Sequence, residues 1–217
     1  VAKILDSLIE LLDSFDLDQF IKIVGYVYEY LIPPEERHKL GQFYTPPPVV
    51  SLITKWAIRG PDYKVLDPGT GSGTFVAEAY DRLFYLKTGK KLDISKGVIP
   101  TESEHKAILK NLYAVDINPF AAHLTAMRLS LKSPKNPSRD MNIVISDFFK
   151  IKPSQSVLLP HKVAGNKEEY KNIIFSDFDT IIGNPPYTRW NDLSEEERKF
   201  VRDEIGKILN EYDLMPR

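Results

Sequence analysis

Apolar residues recur at helical spacing over the first 31 positions: Ile4, Leu5, Leu8, Leu11 and Leu12, then Phe20, Ile21, Ile23, Val24, Val27, Tyr28 and Leu31. Pro33 and Pro34 interrupt the pattern. It predicts an N-terminal helical region over residues 1–40, with two helices divided between Asp13 and Asp18. The second domain, residues 41–217, opens with GQFYTPPPVV. Pro46, Pro47 and Pro48 suit a helix start, with Thr45 as its cap and Val49, Val50, Leu52 and Ile53 inside it.

Beyond residue 60 the period changes. YKVLD (63–67), LYAVD (112–116), NIVIS (142–146) and FDTIIG (178–183) are short apolar runs that predict strands. Helical patterns over 74–86 and from Pro119 to Leu131 alternate with them. Strands apolar on both faces, alternating with helices, predict an α/β fold with a covered parallel sheet. Residues 87–100 and 152–172 are polar and Lys-rich, and read as irregular surface insertions. Ser194, with Glu197 three residues on, opens a last helix through a capping box.

Composition narrows the function. The 217 residues suffice for one α/β domain with a small appendage. Lys and Arg number 29 and Asp and Glu 30, a balance that argues against a module dedicated to coating nucleic acid but leaves room for a local basic patch. Without cysteine there are no disulfides, thiolate zinc sites or Cys nucleophiles. His38, His105, His123 and His161 lack metal-ligand spacing, so no metal is expected. No apolar run could span a bilayer and no signal peptide is visible, so a soluble cytoplasmic protein without membrane contact is the expectation.

In an open parallel sheet, ligands bind at the carboxyl ends of strands. Each predicted strand ends in a polar residue. The first runs into DPGTGSG, with Asp67, Gly69, Gly71 and Gly73. Glycines allow close backbone approach to a ligand. An acid ahead of them suits a cationic group such as an amino-acid ammonium and disfavours a pyrophosphate. The alternative is a tight turn with a capping Asp. The second strand ends in Asp116, suited to accepting from ribose hydroxyls, or else a strand-end acid beside Asn118 capping the next helix. The third ends in SDFF, where Asp147 suits an exocyclic amine and Phe148 a purine face, although a phenylalanine there also suits the core. Together these groups describe S-adenosylmethionine.

The fourth strand ends in NPPY, residues 184–187. Prolines stop strands, and loops tolerate Asn and Tyr, so an ordinary turn is one reading. The other is chemical. The Asn184 amide oxygen and the Pro185 carbonyl suit the hydrogens of an amine awaiting methylation, and Tyr187 suits stacking on a planar substrate.

NPPY, preceded by VLDPGTGSG, resembles the N6-adenine-specific DNA methyltransferases of restriction–modification systems. GQFYTPPPVV ahead of the glycine loop resembles their gamma motif order, and YAVDINP and ISDFF match the second and third cofactor motifs. The resemblance covers roughly residues 35–190 and is nearest to type I modification subunits and fused restriction–methylation enzymes. It implies a Rossmann-like S-adenosylmethionine-dependent methyltransferase fold. Thr45 would help bind the methionine carboxylate, with Asp67, Gly69 and Gly71 near the amine. Asp116 would take the ribose, Asp147 and Phe148 the cofactor adenine, and Asn184, Pro185 and Tyr187 the target adenine in DNA. NPPY also occurs in protein-glutamine and some RNA methyltransferases, which give no account of QFYTPPPVV; an inactive cofactor-binding fragment is a further alternative. The implied fold has strands beyond the fourth. The chain is therefore expected to be the N-terminal portion of a larger enzyme, or one chain of a split assembly. It would depend on a C-terminal target-recognition part or a specificity or restriction subunit and be inactive alone.

Overall fold

The proline run starts a helix one residue later than its sequence suggests. The computed structural model describes residues 45–138, 140–152, 156–162, 168–187 and 190–211. The expected helical region over residues 1–40 lies outside the described residues. Helix α1 spans Pro47–Ala57, and its cap is Pro46, not Thr45. The reason is a shortage of donors. A capping side chain accepts from the second or third helical amide. Counted from Thr45, those positions are Pro47 and Pro48, which have no amide hydrogen, and the Val49 amide bonds to the Pro46 carbonyl at 2.9 Å. Thr45 keeps its hydroxyl for another partner.

The parallel sheet contains β1 (Val65–Asp67), β2 (Leu112–Asp116), β3 (Asn142–Ile145) and, after two further strands described below, β6 (Thr180–Ile181). Their spatial order is β3-β2-β1-β6, and all three pairings are parallel. Four carboxyl ends therefore lie along one rim of the sheet. Helices α2 (Thr74–Thr88) and α3 (Glu102–Asn111) join β1 to β2, and α4 (Pro119–Ser130) joins β2 to β3.

Alternation along the strands divides the core. Val65, Leu112 and Ala114 face the helices, packing with Val76, Tyr80, Leu83 and Phe84 of α2 and with Ile108 and Leu109 of α3. Leu66, Val115 and Val144 face the other way and pack with Ile173 and Phe175. Burying both faces is what makes the central strands β1 and β2 apolar, whereas Ile145 and Ile181 of the outer strands stay exposed.

That second face corrects the reading of residues 152–172 as an irregular insertion. They contribute β4 (Ser156–Lys162) and most of β5 (Glu168–Ile174), an antiparallel pair forming its own two-stranded sheet. Pro160 lies within β4. In a two-stranded sheet each strand has an open edge, so a residue without an amide hydrogen is tolerated. The first supposed insertion also has structure. Helix α2 continues to Thr88, and Asp93 pairs with Val98 in a tight antiparallel turn. Helix α3 is additional to the expected elements, although Thr101 and Glu104 form a full capping box at its start.

Among the described residues, 45–185 belong to one compact unit and 186–211 to a second. The second unit carries helix α5, Glu195–Glu211, opened by the expected reciprocal bonds between Ser194 and Glu197. Arg198 of α5 donates to the Trp190 and Asn191 carbonyls, holding the preceding turn. No helix among the described residues is long and apolar enough to cross a membrane.

Candidate active site

Between β1 and α2 the chain makes the glycine loop, held from several sides. The Thr70 amide bonds to the Val115 carbonyl of β2 at 2.9 Å. Helix α4 clamps the loop from outside: Thr125 donates to the Gly71 carbonyl at 3.2 Å, and Arg128 to the Ser72 carbonyl and the Thr74 hydroxyl, both at 3.0 Å. Gly71 has φ 52°, and a Cβ there would meet nothing within 4 Å. Its Cβ side therefore faces open space rather than protein.

Asp67, at the end of β1, is 1 % exposed. Its Oδ1 accepts from the Gly69 amide at 3.3 Å, while Oδ2 is buried without a hydrogen-bond partner. Burial pushes this carboxyl up to about 7. The Gly69 amide and the nearby Thr70 hydroxyl pull it partly back, and the negative charge of Asp116 adds to the rise. The Thr70 hydroxyl, also buried, lies near enough to favour the charged form without reaching full hydrogen-bond geometry. A buried, half-bonded carboxylate is costly, and a cation brought against it removes that cost.

Asp116 closes β2. Its Oδ2 accepts from the Gly71 amide at 2.7 Å and its Oδ1 from the Asn118 amide at 2.8 Å. One carboxylate thus ties the end of β2 to the glycine loop and also shapes the turn into α4. Asn118 caps α4 as the sequence suggested, accepting from the Phe120 amide. Each carboxylate oxygen retains a second acceptor direction. Ile117, next in the chain, is 71 % exposed at this rim, an apolar surface the sequence reading passed over.

At the end of β3, Asp147 accepts from the Phe149 amide and so caps the short turn Phe148–Lys150. Phe148 packs against the core cluster of Leu66, Val115 and Val144, the core role the sequence left open. Its neighbour Phe149 is largely exposed.

The end of β6 comes against the same centre. A Cβ on Gly183 would stand 2.7 Å from Asp67 Oδ1, so only glycine allows this approach. The sequence reading missed Gly183, although it immediately precedes NPPY. Asn184 donates from Nδ2 to Thr45 Oγ1 at 3.0 Å, across 139 residues. Thr45, Asp67, Gly69, Gly71, Asp116, Asn184 and Pro185 all lie in the first unit. Tyr187 lies in the second unit, where it is exposed.

A family model described as N-6 DNA Methylase matches residues 19–211, which include every one of these positions. The chain belongs to the N-6 DNA methylase family. Membership entails a methyl donor. This family member is 26% identical over 159 residues to the type II methyltransferase M.XamI of Xanthomonas campestris pv. amaranthicola, covering 73% of this chain and 21% of that one. It is 32% identical over 80 residues to the methylase subunit of the type I restriction enzyme MjaVII of Methanocaldococcus jannaschii, covering 36% of this chain and 14% of that subunit. The chain thus spans about a fifth or less of the length of these relatives. Among solved structures, it is similar to a modification subunit of a putative type I restriction enzyme from Vibrio vulnificus YJ016, with TM-score 0.40 and 19% identity over 63% of this chain and 25% of that one. It is similar as well to the DrdV–DNA complex, with TM-score 0.46 and 18% identity over 63% of this chain and 14% of that chain.

Proposed function

We propose that this site binds S-adenosylmethionine and serves the methylation of adenine N6 in DNA, within a restriction–modification system. The observation that carries the reading is Asp67, a buried carboxylate at the head of the glycine loop with one oxygen that lacks a hydrogen-bond partner. An ammonium matches that oxygen in charge and in hydrogen-bonding capacity. Asp67, Gly69 and Gly71 would hold the methionine amine, with Thr45 at its carboxylate. Asp116 would accept from the ribose hydroxyls with its remaining acceptor directions. Asp147, Ile117 and the part of Phe148 left uncovered would take the adenine.

The bound donor supplies a methyl group on a sulfonium, whose thioether leaving group is neutral and needs no metal. The rest falls to this chain. Adenine N6 is a poor nucleophile because its lone pair is delocalised into the ring. Hydrogen bonds from N6 to Asn184 Oδ1 and the Pro185 carbonyl favour a pyramidal nitrogen and stabilise the positive charge that develops there. The two prolines hold these acceptors in a fixed loop. Tyr187 would stack on the base, which must leave the duplex to reach such a site. DNA reading is assigned to parts outside these 217 residues, a target-recognition region or a specificity or restriction subunit, because the near-neutral charge offers little phosphate attraction.

Two measurements test the proposal. Calorimetry of this chain with S-adenosylmethionine should show one-to-one binding that Asp67→Asn weakens. The full-length protein, given radiolabelled donor, should transfer methyl groups to adenine in duplex DNA. Transfer to a glutamine-containing peptide or to RNA instead would overturn the substrate assignment, and absent binding would overturn the cofactor assignment.

A further inference from the structure

The Thr45–Asn184 hydrogen bond joins the loop ahead of α1 to the loop after β6. An asparagine side chain has two chemically opposite ends, and a threonine hydroxyl either gives or takes a hydrogen bond. Here the amide nitrogen is the donor, at 3.0 Å to Thr45 Oγ1. With Nδ2 on Thr45, Oδ1 is the end turned away from it. For an amine substrate this orientation decides function. The reversed amide would present N–H groups to N6, donor against donor, in place of an acceptor.

We infer that Thr45 is a positioning residue, which holds the Asn184 amide with its oxygen toward the amine to be methylated. The inference rests on the proposed role of Asn184 toward an amine, and it gives Thr45 a task beyond touching the methyl donor. The two tasks are compatible in one hydroxyl. Thr45 Oγ1 accepts from Asn184, which leaves its own proton to donate to an anionic group such as the donor's carboxylate. A hydroxyl whose proton is committed in that way can only accept from Asn184. Donor binding therefore reinforces the amide orientation that methyl transfer needs.

The local structure supports such a role. Thr45 is not consumed by capping α1, where Pro46 is the cap and no side-chain capping bond forms. Asn184 follows Gly183, which is seated against buried Asp67, so its backbone is anchored on the sheet rim while Thr45 fixes its side chain.

Thr45→Val removes the hydroxyl at nearly constant shape, and Thr45→Ser keeps it. In the full-length protein, single-turnover transfer at saturating S-adenosylmethionine should slow about tenfold in Thr45→Val and stay near wild type in Thr45→Ser. Donor affinity is measured separately by calorimetry, because a residue that only held the donor would change affinity and leave the saturated rate intact. That result overturns the inference. The second readout does not depend on transfer. In this chain labelled with 15N-asparagine, the Asn184 side-chain amide signals should move in Thr45→Val and hold in Thr45→Ser. If wild-type protein transfers no methyl group, the proposed function fails and the amide signals alone decide: no movement in Thr45→Val refutes the bond.

Discussion

Gly183 lies so close to Asp67 that any Cβ at position 183 would stand 2.7 Å from the carboxylate Oδ1. The contact follows from the sheet. β1 and β6 are neighbours with Leu66 in register with Ile181, and the Ile182 amide bonds to the Leu66 carbonyl at 2.9 Å, so both chains leave the rim side by side. Asp67 is buried and cannot swing aside. Gly183→Ala should therefore lower stability by about 1–3 kcal/mol, the usual range for overpacking. It should also weaken S-adenosylmethionine binding. Thermal unfolding and calorimetry measure the two effects. An alanine variant with wild-type values in both would mean that the carboxylate yields more easily than its burial implies.

With Asp67 in its proposed place against the donor's amine, binding should be proton-linked. Its carboxyl sits at about 7 when folded, against an ordinary value of 3.8, because burial disfavours the charge. A raised folded value means its contribution to stability is greatest below the ordinary value and is lost as pH rises through 7. Binding an ammonium has the opposite preference, since it needs the ionised form. At pH 6 about one carboxyl in ten is ionised, so affinity should be about tenfold lower than at pH 8, with a proton released on binding. Calorimetry in buffers of different ionisation enthalpy counts that proton. Asp67→Asn should bind weakly at both values and release none; a wild-type affinity flat from pH 6 to 8 contradicts the assignment.

Asp116 holds the glycine loop, in addition to its proposed role at the ribose. Removing its carboxylate strips the acceptor from the Gly71 and Asn118 amides together. Bonds to a charged group contribute roughly 1.5–3 kcal/mol each, less what water restores. Asp116→Ala should lower donor affinity more than tenfold and speed hydrogen exchange at the Gly71 amide in the ligand-free protein. Lost affinity with unchanged exchange would confine Asp116 to the ribose.

Tyr187 is assigned to the target base by stacking, which needs the ring and not the hydroxyl. In the full-length protein Tyr187→Phe should leave single-turnover methylation within a few-fold of wild type. Tyr187→Ala should cost about 1–3 kcal/mol of base binding. Equal losses in the two variants would assign the work to the phenol.

The strands at the centre of the sheet were legible because burial on both faces demands unbroken apolar runs. VLD and LYAVD, each closed by an acid and a turn signal, read as strands without any knowledge of neighbours. Capping chemistry was legible too, since Asn118 and Ser194 act within a few residues of themselves. Helix α3 was missed despite its capping box, because its apolar residues Ala107, Ile108 and Leu109 form one consecutive run that shows no helical period. The β4–β5 pair was missed for a different reason. Strand formation depends on a partner, and Pro and Lys in one segment and Glu and Lys in the other hide the alternation until the two are placed side by side.

The sequence by itself determined which chemical groups end each strand of the parallel sheet: Asp67 and the glycines, Asp116, Asp147, and Asn184 with its prolines. Local rules suffice there, since a strand, its terminating residue and the following cap lie within one short segment. Only the tertiary structure decided what those groups do to one another. Asp116 bonds a glycine 45 residues away, Asn184 bonds a threonine 139 residues away, and Asp67 owes its raised carboxyl value to burial beneath Gly183 and the glycine loop. Hydrogen-bond partners and desolvation are set by what packs together in space, and no spacing along the chain encodes them.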